Sequence, residues 1–381
     1  MIRRKQIKMN AKDVSTGNKS IIKACLGPVT FVVIFVILLT MITYMMRPSG
    51  DTKNRFMGFY AEPRNSLDVI MIGSSPTYSS CVMPELYGEY GIKAYPLASN
   101  VQRPMAGKYL VREADKTQSP QLYMFEMRMY TGTEESLTIN MGYTREVTDN
   151  MKYSFNRIAC INAMVHRDVN SEDGKKYTYY FDIFKYHSNW ISLINLDQVT
   201  SLTYVKKDPY KGYKITDKVG PVDTPSIMTD PAPAELDPYQ AKALYDLLDE
   251  LDRQEADALF YLAPYDMPPE DAGKFETIKN IVESRGYDWL DMNHHYDEIG
   301  MDFSRDFSDY GIHTNAIGAR KCTIFLGEYL RDHYDLPDHL ADDAADESWD
   351  AAYANWQDEY EKAVVEIDRR IEAGDFFEIE E

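Results

Sequence analysis

Two short segments at opposite ends of the chain carry residues whose types suit acyl-transfer chemistry. An apolar run ends at Gly73 and is followed by Ser74 and Ser75, as expected of a strand that ends in a sharp turn. A serine on such a turn projects its hydroxyl into the cleft, close to backbone N–H groups that bind an oxyanion. Serine is also a common helix cap, so a purely structural role is the alternative for this dipeptide.

The second segment supplies a base and a carboxylate. His313 lies four residues after Asp309, in a loop directly before a helix that we expect to begin near Asn315. A histidine takes the proton from a serine nucleophile, while a carboxylate fixes the tautomer of the imidazole and stabilises the imidazolium. Asp309 is the first candidate for that carboxylate and Asp306 the second. A Ser–His dyad without an aspartate is the third option.

Both segments must be positioned by an α/β domain. Strands that alternate with amphipathic helices predict a mainly parallel sheet, in which ligands bind at the C-terminal ends of the strands. We assign residues 67–331 to this domain, with an aperiodic insertion at about 130–235 that covers the strand ends. The apolar runs that predict strands are DVIMIG (68–73), KAYPLA (93–98), LYMFEM (122–127), ALFYLA (258–263) and YDWLDM (287–292).

The N-terminus carries a candidate membrane anchor. Residues 26–46 hold no charged side chain and are long enough to cross a hydrocarbon core of about 30 Å. Residues 1–25 hold seven basic side chains and one acidic one, which predicts a cytoplasmic N-terminus and an extracytoplasmic chain from residue 47 onward. A cleaved signal peptide is the alternative, but no small-x-small cleavage site follows the long apolar run. Residues 47–66 are polar, and we assign them to a linker.

Composition excludes several classes of function. A net charge of −20 at pH 7 disfavours binding of nucleic acid. Four widely spaced cysteines disfavour a disulfide scaffold or a zinc site, although Cys81, Cys160 and Cys322 could pair if the domain is exported. The adjacent His294 and His295 send their side chains in different directions, which disfavours a metal site. Residues 332–381 hold eighteen acidic and three basic side chains. Their aromatic and aliphatic residues recur at helical spacing, which predicts a C-terminal helix packed on the domain edge, or alternatively a partner-binding arm.

The chain resembles the SGNH/GDSL hydrolase-like superfamily. The resemblance is to its membrane-anchored extracellular branch, which includes proteins of teichoic-acid D-alanyl transfer and polysaccharide O-acetyl transfer. It covers roughly residues 67–331 and implies a three-layer α/β/α, flavodoxin-like domain with a parallel sheet, preceded by one transmembrane helix and followed by a C-terminal helix. The similar pieces are DVIMIGSSPTYSS, GIKAYPLASNVQRP, LYMFEMR, FDIFKYHSNW with the later KGY, and DFSDYGIHTNAIGARKCT.

The resemblance also assigns roles to residues of the two motifs. Ser75 would be the nucleophile and His313 the general base, with Asp309 as the orienting carboxylate. The backbone N–H of Ser75 and the side chain of Asn100 would bind the oxyanion. Relatives carry the aspartate three residues before the histidine, a position that Tyr310 occupies here.

Further expectations concern the cleft. The second block lacks the glycine that relatives carry near Ala98, and Pro96 stands where relatives often have asparagine. The residues expected to line the substrate side are Ser74, Gln102 and His187. For His187, which lies near Trp190 in the sequence, the alternative is a packed structural role.

The sequence therefore predicts an extracytoplasmic serine-dependent acyl esterase or acyltransferase that acts on cell-envelope glycans through an acyl-enzyme, without a metal or cofactor. Expected partners are an envelope polysaccharide or acyl-carrier substrate, the membrane through one N-terminal helix, and a membrane acyltransferase. The alternative is a non-catalytic protein that keeps the SGNH fold to bind envelope polysaccharide or to scaffold such an acyltransferase. A plain esterase or lipase is disfavoured because no apolar lid is evident.

Overall fold

The computed structural model describes residues 11–166, 175–194, 199, 201–203, 205–225, 227–228, 230–341 and 346–378. The chain separates into two compact units. The helical unit comprises the chain up to Arg47 together with Ile183–Leu202, and the α/β unit comprises Pro48–Asp182 and the chain from Thr203 onward. Sequence analysis assigns 183–202 to the insertion of the α/β domain, whereas the structure groups this segment with the N-terminal helix.

Five strands and a series of helices make up the described residues. The strands are β1 (Val69–Gly73), β2 (Ala94–Ala98), β3 (Leu122–Glu126), β4 (Ala258–Leu262) and β5 (Asp288–Asp291). The α-helices are α1 (Ala11–Met46), α2 (Asp51–Ala61), α3 (Ser75–Ser79), α4 (Met83–Tyr90), α5 (Gly107–Ala114), α6 (Glu134–Thr138), α7 (Gly142–Thr148), α8 (Phe155–Met164), α9 (Tyr177–Tyr180), α10 (Ile183–Tyr186), α11 (Pro238–Gln254), α12 (Pro269–Ser284), α13 (Tyr296–Ile299), α14 (Ala316–His333) and α15 (Glu347–Ala373). Short 3₁₀ segments occur at Pro104–Ala106, Arg128–Thr131, His187–Ile194, Ser201–Thr203 and Met292–His295.

The helical unit is built on α1. Its segment Leu26–Met46 has a mean hydropathy of 2.5 and only 17% of its most apolar stretch is buried. Large apolar side chains such as Phe31 are exposed along this segment. The helix is long and apolar enough to cross a membrane, so the prediction of one N-terminal membrane-spanning candidate is confirmed at this level.

The five strands form one parallel sheet in the order β2-β1-β3-β4-β5. Each coincides with one of the five apolar runs. For the first four this follows because a strand buried on both faces reads as a continuous apolar segment. The first four strands are fully buried. The predicted α/β class with a parallel sheet is therefore confirmed. The direction of the connections reverses between β1 and β3, where doubly wound sheets leave a crevice.

Sequence analysis predicts a linker at residues 47–66. The structure instead has the helix α2 in this range, and most residues of α2 are buried. The helix packs along β2, where the Arg55 guanidinium donates to the carbonyl of Ala98 at 3.0 Å and the Tyr95 hydroxyl donates to that of Arg55 at 3.0 Å. The edge position of β2 also explains Pro96, since proline lacks the N–H that a central strand needs. Phe56, Phe59 and Tyr60 of α2 belong to the hydrophobic core, so this helix is part of the domain.

Six of the remaining helices pack in two groups. One group contains α5, α8 and α11, and the other contains α4, α14 and α15. In the second group the indole of Trp356 on α15 is fully buried and donates to Glu85 on α4 at 2.7 Å. Trp349 is likewise buried against Tyr87, with ring centroids 5.4 Å apart. The predicted C-terminal helix is thus present as α15, and its aromatic side chains belong to the domain core and not merely to the domain edge.

Cysteine chemistry contributes nothing covalent to this core. Cys81, Cys160 and Cys322 are buried free thiols, so the pairing left open by the sequence is not formed. Burial raises the pKa of Cys81 and of Cys160 to about 12, which keeps both thiols protonated and unreactive at neutral pH.

Candidate active site

The turn after β1 places two serines in different environments. A Cβ at Gly73 would come within 2.6 Å of the Glu126 Cβ and would also clash with the Thr77 hydroxyl, so only glycine allows this close approach. Ser74 occupies the N-cap position of α3 but makes no side-chain capping bond, and its buried hydroxyl faces Glu126 Oε2 at 3.4 Å. Ser75 is partly exposed and opens onto a cavity. The dipeptide therefore does more than cap a helix.

Ser75, His313 and Asp309 form a connected hydrogen-bonded chain. The Ser75 Oγ lies 2.6 Å from His313 Nε2, and His313 Nδ1 lies 2.6 Å from Asp309 Oδ2. Because a carboxylate only accepts, Nδ1 carries the proton and Nε2 is left to accept from the serine hydroxyl. The other carboxylate oxygen of Asp309 accepts the backbone N–H of His313 at 2.7 Å. Asp309 thus fixes both the ring and the backbone of the histidine.

A left-handed turn accommodates the additional residue between Asp309 and His313. Tyr310 has φ 56° and Gly311 has φ 85°, so the loop bulges and returns the histidine to its carboxylate. The turn is held by the Tyr310 N–H, which donates to Gly220 at 2.9 Å, and by the Gly311 carbonyl, which accepts from Asp266 at 2.8 Å. This loop geometry reconciles the unusual spacing with a triad arrangement.

Asp306, the second candidate for the orienting carboxylate, lies elsewhere. Its buried Oδ2 accepts from Lys321 Nζ at 2.6 Å and from the backbone of Asp302 at 2.8 Å. Burial raises the pKa of this carboxyl. The structure therefore brings Asp309 and not Asp306 to His313, and Asp306 anchors the base of the same loop.

Asn100 follows β2 and lines the same cavity as Ser75. Its Oδ1 accepts from the Tyr78 hydroxyl, and its Nδ2 donates to Glu146 Oε1 at 3.0 Å. Glu146 takes one of the two Nδ2 protons, which leaves the other for a ligand. The next residue, Val101, has φ 43°, a conformation that is strained for a β-branched side chain and is typical of functional sites.

A buried polar cluster lies under the serine turn and the histidine loop. Glu126, at the end of β3, accepts from Ser74 and from the backbone N–H of Arg128 at 3.1 Å, and burial raises the pKa of its carboxyl. The Arg128 guanidinium stacks over the Tyr265 ring at 4.0 Å and donates to the carbonyl of Ile312 at 2.7 Å. Arg128 therefore connects the end of β3 to the residue directly before His313.

The cavity above Ser75 has a volume of about 920 Å³. Its floor carries Ser75, Asn100, Asp309 and His313, while one wall is a segment of the predicted insertion and another is the last half of α15. The wall residues of the insertion segment, the C-terminal helix and the residues after that helix are Lys214, Ile215, Thr216, Asp217, Lys218, Glu359, Lys362, Ala363, Glu366 and Phe377.

The three residues predicted to line the substrate side are placed differently. Ser74 and Gln102 are buried and bond inward, Gln102 with the Ser99 hydroxyl at 3.3 Å and the Leu97 carbonyl at 3.4 Å, because the turn after β2 folds back on itself. His187 belongs to the helical unit, where its Nδ1 lies 3.1 Å from the Phe184 carbonyl. None of the three is among the described residues that line the cavity.

Comparison with known proteins does not assign this chain. No protein-family model matches it, and no curated protein matches it. The interpretation of the site therefore depends on its geometry.

Proposed function

We propose that the chain is a serine-dependent acyl esterase or acyltransferase of the SGNH type that acts on cell-envelope glycans through an acyl-enzyme. The observation that supports this proposal is the continuous Ser75–His313–Asp309 hydrogen-bonded chain at the floor of an open cavity, with 2.6 Å at both joints. The strand order and the two groups of helices are compatible with a three-layer α/β/α, flavodoxin-like domain.

In the first half-reaction Ser75 Oγ attacks the acyl carbonyl carbon, and His313 Nε2 takes the serine proton. The negative charge that develops on the carbonyl oxygen is bound by the Ser75 N–H and by Asn100 Nδ2. Collapse of the tetrahedral intermediate breaks the bond to the leaving alcohol or thiol, which receives the proton from His313. Asp309 stabilises the imidazolium that exists between these two proton transfers.

In the second half-reaction His313 removes a proton from water or from a sugar hydroxyl, whose oxygen then attacks the acyl-serine ester. The bond to Ser75 Oγ breaks and the serine recovers its proton from His313. The cavity wall presents lysine, aspartate and glutamate side chains together with a threonine, which suits a hydroxyl-rich acceptor better than an acyl chain alone.

The membrane-spanning candidate Leu26–Met46 supports an anchored enzyme. With a basic segment before it, we expect the N-terminus in the cytoplasm and the α/β unit outside. An extracytoplasmic unit would make a cysteine introduced at the exposed Ser119 react with a membrane-impermeant maleimide in intact cells. Reaction only after lysis would contradict this orientation.

A fluorophosphonate probe tests the nucleophile directly on the full chain in detergent. We expect covalent labelling of the unaltered chain, loss of labelling in Ser75→Ala, and retained labelling in Ser284→Ala, which removes a surface hydroxyl bonded only to its own helix. Ser74→Ala tests the neighbouring serine, whose hydroxyl faces Glu126 and not the cavity.

The outcome also separates the enzyme from its main alternative. Labelling that persists in Ser75→Ala but disappears in Ser74→Ala would show that the nucleophile is Ser74 and not Ser75. A folded chain that reacts with no serine probe and hydrolyses no acetyl or aminoacyl ester would overturn the enzymatic proposal. It would favour a non-catalytic protein that binds envelope polysaccharide or scaffolds a membrane acyltransferase.

A further inference from the structure

The side-chain amide of Asn100 is held from both ends. The Tyr78 hydroxyl donates to its Oδ1, and its Nδ2 donates to Glu146 Oε1 at 3.0 Å. A carboxylate only accepts, so the amide cannot rotate by half a turn without placing its oxygen against the carboxylate. These two contacts therefore determine which end of the amide carries protons towards the cavity.

The first partner, Tyr78, is itself fixed by a buried cation. The Arg55 guanidinium lies 3.7 Å from the centroid of the Tyr78 ring and donates to the carbonyls of Ala98 at 3.0 Å and Gly212 at 2.9 Å. Burial raises the pKa of Tyr78 to about 12, so the phenol remains a hydrogen-bond donor at neutral pH. The ring therefore keeps one orientation and its hydroxyl keeps one role.

The second partner, Glu146, binds Asn100 twice. Its Oε2 accepts the backbone N–H of Asn100 at 3.1 Å and the Thr52 hydroxyl at 2.9 Å, while Oε1 accepts the side-chain amide. The carboxylate thus orients the backbone and the side chain of one residue, directly before the strained Val101. Such strain persists only where the surroundings over-determine the conformation.

We propose that Tyr78 and Glu146 are positioning residues that hold the Asn100 amide so that its remaining Nδ2 proton is available to the oxyanion formed at Ser75. This inference rests on the proposed acyl-transfer function and deepens it. Thr52 and Arg55 connect these two positioning residues to α2. This helix follows the membrane-spanning candidate by a few residues and contributes no group to the described cavity wall.

A double-mutant cycle on the full chain, with p-nitrophenyl acetate as substrate, tests the proposal. Asn100→Ala removes the donor and should lower kcat about 10²-fold. Tyr78→Phe keeps the ring on Arg55 and deletes only the hydroxyl, and should lower kcat about tenfold with little change in KM. In the Asn100→Ala background Tyr78→Phe should have no further effect, because the hydroxyl acts through the missing amide.

Three further variants sharpen the test. Glu146→Ala should lower kcat, and Glu146→Gln, which keeps one acceptor oxygen, should recover part of that loss. Tyr245→Phe is a matched control on an exposed helix face and should leave kcat and KM unchanged.

The results separate failure of this inference from failure of the proposed function. If the unaltered chain hydrolyses the ester but Tyr78→Phe lowers kcat equally in both backgrounds, the hydroxyl does not act through Asn100 and the inference is wrong. An unchanged kcat in Asn100→Ala overturns it as well, while serine labelling by the fluorophosphonate would still support the enzyme. A chain that is neither labelled nor active overturns both.

Discussion

At the scale of single residues, Asp309 binds His313 twice. Its two oxygens accept from the ring Nδ1 at 2.6 Å and from the backbone N–H at 2.7 Å. Both acceptors are therefore used by one residue, and the loop conformation and the histidine tautomer depend on the same group. A replacement that can accept only once must lose one of these functions.

Asp309→Asn should lower kcat about 10³- to 10⁴-fold with a small change in the free energy of unfolding. The asparagine amide presents one acceptor and one donor, so either the loop or the tautomer of His313 is set incorrectly. Ester hydrolysis and chemical denaturation of the same preparation measure the two effects.

Asp306→Asn is the matched comparison in the same loop. It breaks the buried contact with Lys321, so we expect it to cost about 1–3 kcal/mol of stability and to retain most of kcat in the folded fraction. If Asp306→Asn, rather than Asp309→Asn, abolished turnover in folded protein, the assignment of the orienting carboxylate would be wrong.

At the scale of elements, the parallel strands were predictable and the connections between them were not. Four of the strands are buried throughout, so their sequences are continuous apolar runs bounded by turn residues. The helix α2 buries Phe56, Phe59 and Tyr60 at helical spacing, an apolar signal that sequence analysis missed among the polar residues of 47–66. It also buries Thr52 and Arg55 through specific hydrogen bonds. Polar burial of this kind becomes visible only when the partners are in place.

The candidate site divides along the same line. Ser75 and His313 lie at element ends with recognisable turn chemistry, whereas Glu146 is separated from Asn100 by 46 residues in an aperiodic segment. No sequence signal joins these two residues. Gln102 was expected to line the substrate side, but its turn directs the side chain inward.

The turn from β1 to α3 gives the element scale its own prediction. Gly73→Ala would place a Cβ within 2.6 Å of the Glu126 Cβ and against the Thr77 hydroxyl. Both neighbours are buried, so we expect a loss of about 1–3 kcal/mol in the free energy of unfolding. Thermal and chemical denaturation measure it. Gly107→Ala is the control, since its Cβ would meet no neighbour closer than 3.5 Å and should be neutral or stabilising by up to about 1 kcal/mol.

Equal stability of the two glycine variants would mean that Gly73 does not lie as close to β3 and α3 as it does in the structure. A Gly73→Ala chain that stays folded but reacts slowly with the fluorophosphonate probe would instead indicate that the turn shifts and carries Ser75 with it.

At the scale of the whole α/β unit, helices near both ends of its sequence contribute to the site that lies at the ends of the strands. α2 supports Asn100 from the N-terminal side, and α15 with the residues after it walls the cavity from the C-terminal side. The buried Trp349 and Trp356 make α15 part of the core. A truncation that removes this helix would therefore expose the aromatic core and destabilise the unit as well as the cavity.

A shorter truncation isolates the contribution of the chain after α15. The Phe377 N–H donates to Val219 at 2.7 Å, and its carbonyl accepts from the Tyr310 hydroxyl at 2.6 Å. Tyr310 is the left-handed residue between Asp309 and His313, so the terminal segment holds the loop that carries the base. A chain that ends at Gly374 should keep its melting temperature within a few degrees, because residues 375–378 are mostly exposed, but should lose about tenfold in kcat.

Point variants separate the backbone contacts from the ring. Phe377→Ala keeps both backbone bonds and loses only the ring, which lies 4.7 Å from Lys218 Nζ, so it should reduce kcat less than the truncation does. Phe376→Ala, at the exposed neighbouring position, should have no effect. If the chain ending at Gly374 hydrolysed ester at the full rate, the loop would hold its left-handed turn without the terminal segment, through contacts such as those with Gly220 and Asp266.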